Sequence, residues 1–86
     1  MAESSQTLER GIMLLHLVNR DRPGGWSVTD LAAELGVGRP VVYRLLTALE
    51  KFDLVRRDEA GHVLLGIGVL RLSTGLHPTL STLAAD

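Results

Sequence analysis

Residues 27–51 read SVTDLAAELGVGRPVVYRLLTALEK. Two short helices joined by a tight turn account for this stretch. Ser27 is an N-cap residue whose side-chain oxygen can accept from a free amide of the first turn. Asp30, three residues on, gives a capping-box-like pair and suits the positive end of the helix. Trp26 and Leu31 fall at the two positions of a hydrophobic staple. Val28, Leu31, Ala32 and Leu35 recur with the spacing of one helical face. Gly36 supplies the left-handed residue on which helices end. Pro40 suits the first turn of the next helix, where a missing amide costs nothing. Val42, Leu45, Leu46 and Leu49 make that second helix amphipathic. The spacing of Ala32, Gly36 and Val42 narrows a helical hairpin to a helix-turn-helix. A small residue lets the helices approach, a glycine takes positive φ at the turn, and an inward β-branched residue locks the pair.

Downstream, Phe52 and Leu54 are expected in the core, with Asp53 as the turn residue after the helix. Leu54–Arg57 and His62–Leu65 have strand character, and Asp58–Gly61 is a four-residue turn containing glycine. A hairpin in this place is a wing. Leu65, Val69, Leu72 and Leu76 return to helical spacing, with Gly75 and Pro78 able to end that helix. Gly66 and Gly68 weaken its start. HPTLSTLAAD opens a further helical pattern at Thr79 or Ser81, as though the chain were cut from a longer one. Upstream, residues 1–6 are expected as a disordered polar start. Thr7 caps a helix running to about Asn19, with Leu8, Ile12, Leu15 and Val18 as its main apolar stripe. Met13, Leu14 and Leu17 widen that surface; they either complete a small core or meet a second subunit. RDRPGG (20–25) is a loop. The fold class is mainly α with a small β-hairpin. A winged helix-turn-helix covers residues 7–65, and a linker helix with the start of a further helix covers 66–86.

The 86 residues allow one small domain, whose modest core a second copy would help to stabilise. With 45% hydrophobic and 22% charged residues the chain is globular rather than disordered. The absence of cysteine excludes disulfides and thiolate metal sites and fits the cytoplasm. No apolar run approaches the ~20 residues that span a bilayer, and the N-terminus has no signal core. Three scattered histidines, no clustered carboxylates and no Gly-rich phosphate loop leave nothing from which to build an enzyme, a metal site or a cofactor site. His16 reads as a helix-surface residue. The net charge of −1 conceals a polarity. Residues 37–57 carry Arg39, Arg44, Lys51, Arg56 and Arg57 against Glu50 and Asp53, a net +3, while the segments on either side are each −2.

Taken together, TLERGIMLLHLV, a loop, and SVTDLAAELGVGRPVVYRLLTALEKFDLVRRDEAGHVLLGIGVLRL resemble the N-terminal DNA-binding domain of IclR-type bacterial transcriptional regulators. The likeness covers about residues 5–76. Its most telling pieces are LERGIMLL, LAAELGV followed by YRLLTALEKFDLVRRD, and LLGIGVLRL. The resemblance implies a winged helix-turn-helix and a linker helix. It also implies a larger ligand-sensing domain, absent here, through which a small-molecule effector would act. The expected partner is double-stranded DNA with a palindromic operator, bound by dimers or tetramers. The chain departs from the family pattern in places. Pro40 and Val41 stand where a hydroxyl residue is usual, Tyr43 where histidine is common, and Asp53 where glycine is usual. Val63 and Leu64 replace an aromatic followed by a polar residue. These changes alter the base-contact pattern rather than the fold.

With its leucines inward, the second helix of the pair turns Arg39, Val41, Tyr43, Arg44 and Thr47 outward beside Pro40, and its N-terminal part would enter the major groove. Arg39 or Arg44 can read guanine through O6 and N7, or grip a phosphate. Tyr43 and Val41 can pack on a thymine methyl, and Tyr43 and Thr47 can bond to phosphate. Arg56 and Arg57 either reach the same backbone or form a solvated strand face, while Asp58 and Glu59 weaken the case for the tip touching DNA. Arg71 reads as helix surface. The homodimer interface is expected at Met13 and Leu17 of the first helix with Val69, Leu72 and Leu76 of the linker helix. The competing reading is a winged-helix protein-association module without DNA binding, which the net acidity and missing hydroxyls would suit.

Overall fold

The computed structural model describes residues 2–76, with side chains from Ser5 onward. The helical pattern expected from Thr79 lies outside the described residues. In chain order the elements are α1 (Ala2–Val18), α2 (Val28–Leu35), α3 (Arg39–Lys51), β1 (Val55–Arg57), β2 (Val63–Leu65) and α4 (Ile67–Ser73). The capping pair forms in full: Ser27 Oγ accepts from the Asp30 amide and Asp30 Oδ2 accepts from the Ser27 amide, both at 3.0 Å. Gly36 closes α2 at φ 69° and ψ 34°. The Val37 amide then donates to the Ala32 carbonyl at 3.1 Å, satisfying an end-of-helix acceptor. Val28, Leu31 and Ala32 of α2 meet Val42, Leu45 and Leu46 of α3 in one core with Leu14, Leu17, Val18, Trp26, Val55 and Val63. Leu35 and Leu49 pack on its edge.

The first helix differs from expectation at both its start and its orientation. It begins at Ala2 rather than at Thr7, which lies inside it and caps nothing. No proline or glycine precedes Gly11, so nothing stops the helix from continuing back through the polar residues. Its inward face is Gly11, Leu14, Leu17 and Val18, while Leu8 (65% exposed) and Ile12 face solvent. From Leu8 to Val18 apolar residues take seven of eleven positions, so spacing alone leaves several stripes in play. Packing on α2, α3 and β2 selects among them. Leu17, expected at a dimer interface, is packed into the core instead.

The hairpin is antiparallel, with Val55, Arg56 and Arg57 opposite Leu65, Leu64 and Val63. Each strand is one residue shorter than expected. Its turn is tied by Asp58, whose Oδ1 accepts from the Ala60 and His62 amides at 2.9 Å, and Gly61 takes φ 88°. Trp26 adds a one-residue bridge to the outer side of β2: the Val63 amide donates to the Trp26 carbonyl at 2.8 Å. The loop before α2 is thus stitched to the wing.

Phe52 is 68% exposed, not a core residue. The chain leaves α3 through Asp53 at φ 60°, and this turn brings the carbonyls of Phe52 and Asp53 against Gly66 and Gly68 at the start of α4. Gly68 donates its amide to the Asp53 carbonyl at 2.8 Å and Gly66 to that of Leu54 at 2.9 Å. The two glycines therefore let α4 dock against the end of α3. The helix itself is shorter than the expected 65–76, ending at Ser73 with a turn at 74–75.

Candidate nucleic-acid interface

The N-terminus of α3 stands open. Gly38 is its N-cap and offers no side-chain acceptor, Pro40 sits in the first turn, and no acidic residue occupies that turn. Arg39, Pro40, Tyr43, Arg44 and Thr47 are exposed on the side of α3 away from the core. Among the described residues no ion pair holds Arg39 or Arg44. Val41 is half-buried and packs on the core, so it presents less surface than its neighbours. Thr47 Oγ1 donates to the Tyr43 carbonyl at 3.0 Å, which commits its only proton within the helix.

The wing places its two arginines differently. Side chains alternate across a strand, so Arg57 shares the face of buried Val55 and stands opposite buried Val63, while Arg56 projects from the outer face. Arg57 Nε donates to Glu50 Oε2 at 3.2 Å, and its guanidinium carbon lies 5.7 Å from the centre of the Tyr43 ring. Glu50 was not singled out from the sequence; its place seven residues after Tyr43, on the same line of α3, was the available signal. At the tip, the Asp58 carboxyl is held below the usual carboxylate range, first by the His62 amide, then by the Ala60 amide and the His62 ring. It is bound into the turn rather than presented outward. Arg71 pairs with Asp53 at 3.4 Å on the surface of α4. His16 is exposed on α1.

The residues expected at a dimer interface are not all brought together. Val69 and Leu72 line a cleft of about 250 Å³ with Leu15, Leu54 and Leu65, between α1 and α4. Leu72 and Leu76 are exposed, at 69% and 54%. Met13 lies round α1 from this cleft, in a separate depression with His16, Leu17, Arg20 and Glu34. Leu8 and Ile12, spaced with Leu15, continue the apolar side of the cleft instead.

A model of the IclR helix-turn-helix domain matches residues 7–59. The HTH-type transcriptional repressor AllR of Salmonella typhi is 33% identical over 73 residues, covering 84% of this chain and 26% of that protein; AllR of Salmonella typhimurium (strain LT2) gives the same values. The crystal structure of an IclR family transcriptional regulator from Brucella abortus matches with a TM-score of 0.69 at 28% identity, over 83% of this chain and 27% of that one. The chain spans about a quarter of the length of the curated relatives it matches. These relatives are transcriptional regulators, not enzymes. Among the described residues no helix is long and apolar enough to cross a membrane.

Proposed function

The chain belongs to the IclR helix-turn-helix family, and from that premise we propose that it binds a palindromic operator in double-stranded DNA as a homodimer, α3 of each copy lying in the major groove of one half-site. The observation that carries this reading is the outer side of α3. Arg39 and Arg44, which make no ion pair among the described residues, stand there with Tyr43 and Thr47, on a helix whose inner side is locked into the core. Arg44 takes the base-reading role, through guanine O6 and N7. Arg39 lies at the open helix start, where backbone amides and the helix dipole favour a phosphate. Pro40 and Val41 supply apolar contact near the same point, and Tyr43 offers its phenol. Thr47 can donate to a phosphate only by giving up its bond to the Tyr43 carbonyl. Arg56, which makes no ion pair among the described residues, meets the backbone from the outer face of the wing.

The dimer joins the apolar strip formed by Val69, Leu72 and Leu76 with Leu8 and Ile12; Met13 lies aside from it, and Leu17 is in the core. A regulator of this kind works in the cytoplasm, and its small-molecule effector acts through a sensing domain that is not among these residues. Anisotropy of a labelled mixed-sequence duplex at low salt tests DNA binding directly. Binding that weakens steeply with salt is expected, with a slope of about −0.9 per phosphate contacted. No binding would favour a protein-association module. A footprint with the intact regulator should then show two half-sites. Arg44→Ala should cost ~1–3 kcal/mol of specific binding; a variant that shifts its operator as well as the parent would remove Arg44 from the site.

A further inference from the structure

Two neighbouring arginines of β1 carry the same charge but not the same surroundings. We infer that Arg57 is a positioning residue for Tyr43, anchored by Glu50, and that Arg56 alone is the wing's phosphate contact. The inference rests on the DNA-binding reading above and deepens it.

Strand alternation sends Arg57 to the core side of the hairpin. At the last residue of β1 its long side chain passes beyond the core and lies across α3, where Tyr43 and Glu50 stand two turns apart on one line. The guanidinium is a rigid planar fork. Its Nε bonds Glu50 at 3.2 Å, and its carbon stands 5.7 Å from the Tyr43 ring centre, within the ~6 Å range of a cation–π contact. The carboxylate and the ring together restrain the fork. Among the described residues no protein group bonds the Tyr43 hydroxyl, so the ring is held by its face while the phenol oxygen stays open. Glu50 also offsets the charge of Arg57, which leaves the pair nearly neutral toward a polyanion. Arg56 has neither constraint: among the described residues it makes no ion pair. The wing strand thus sets where the recognition-helix phenol sits, and its own charge is delivered by the residue next door.

The sign of one substitution separates this from simple electrostatics. Removing Glu50 takes a negative charge away from the DNA-facing side and should by charge alone strengthen binding. Positioning demands the reverse. Tyr43 is the only tyrosine in the chain, so its ring resonances in an NMR spectrum are unambiguous. Without DNA, Arg57→Ala and Glu50→Ala should each shift the Tyr43 ring signals, and Arg57→Lys, which keeps the charge but not the plane, should not restore them. With a labelled mixed-sequence duplex, both alanine variants should bind about two- to five-fold more weakly, with the salt slope unchanged. The loss should disappear in a Tyr43→Ala background. Arg56→Ala should instead lower the magnitude of the slope by about 0.9. The inference is overturned by an unmoved Tyr43 signal in Arg57→Ala, by tighter binding of Glu50→Ala, by a slope change of that size for Arg57→Ala, or by a loss that persists without Tyr43. Failure of the parent chain to bind any duplex would sink the DNA-binding reading, and any role of Arg57 in it, whether or not the ring signals move.

Discussion

Between α2 and α3 the chain turns on Gly36, at φ 69°, and beyond its own residue and chain neighbours no heavy atom of the described residues lies within 4 Å of where a Cβ would stand. Between the wing and α4 it passes Gly66 and Gly68. There a Cβ would fall 2.2 Å from the Asp53 carbonyl oxygen and 2.4 Å from that of Phe52, although neither glycine has positive φ. The first joint needs glycine for its backbone conformation and has room to spare. The second has an ordinary backbone and no room. Only the first announces itself, because a glycine directly after a helical stripe has a local meaning. The second acquires its meaning from a turn of chain that folds back on it, and read locally it looks like a weakness in a helix.

Substitution should keep the two joints distinct. Gly68→Ala is expected to cost the most, about 3 kcal/mol, because the obstruction is backbone and cannot rotate away. The cost is capped by the option of undocking α4. Urea unfolding followed by circular dichroism, with amide exchange in α4, would measure both parts; parental stability with a protected α4 would mean that the helix slides freely. Gly36→Ala should lose about 1–2 kcal/mol, and Gly36→Asn less, since asparagine tolerates the left-handed region. At Gly68 the same asparagine should rescue nothing. If Asn is equally tolerated at both positions, the contrast fails.

At the other end of α2, Ser27→Ala should cost about 1 kcal/mol near neutral pH. The Asp30 carboxyl is held below its ordinary range, chiefly by the Ser27 amide and then by the Ser27 hydroxyl. A depressed folded pKa means that the carboxylate stabilises the fold above its unfolded pKa, and that this contribution disappears as pH falls through the folded value. The gap between parent and variant should therefore narrow in acid; a gap constant with pH would show that Asp30 is not coupled to the cap. The smallest effect is expected at Asp53, the non-glycine residue at φ 60°. Asp53→Gly relieves the left-handed strain but frees the unfolded chain, a net gain of about 0.5 kcal/mol. The exposed pair with Arg71 adds little to lose. A destabilised Asp53→Gly would show that the pair matters more than the backbone.

The same distinction between local and distant meaning governs what could be read beforehand. In α3 a narrow apolar stripe faces a polar side, so inward and outward residues follow from spacing, and Val42, Leu45 and Leu46 are buried as expected. In α1 the apolar surface is too wide for that, and the stripe chosen by spacing is split: Val18 is in the core, Leu15 packs on it, and Leu8 and Ile12 are exposed. Arg39, Pro40, Tyr43, Arg44 and Thr47 are exposed on α3, as its spacing predicts. Which of them are free was not legible: Val41 is half covered by the core, the Thr47 proton is committed to Tyr43, and Arg57 is held by Glu50. Each of these depends on a neighbour that spacing within one element does not supply. The one-residue bridge at Trp26 is too short to leave any periodic trace.

That bridge gives the molecule a built-in optical reporter. Trp26 is the only tryptophan, 5% exposed. Its Nε1 donates to the Arg20 carbonyl at 3.1 Å, its own carbonyl receives the Val63 amide, and the Arg22 guanidinium stands 4.7 Å from the ring centre. Through its indole and its carbonyl Trp26 therefore holds Arg20 and Arg22 of the interhelical loop and Val63 of the hairpin. Its emission should lie to the blue of free tryptophan in the native state and move red when any of those three contacts opens. Loosening at this junction can thus be followed in the unlabelled chain, at wavelengths where the lone phenol does not absorb.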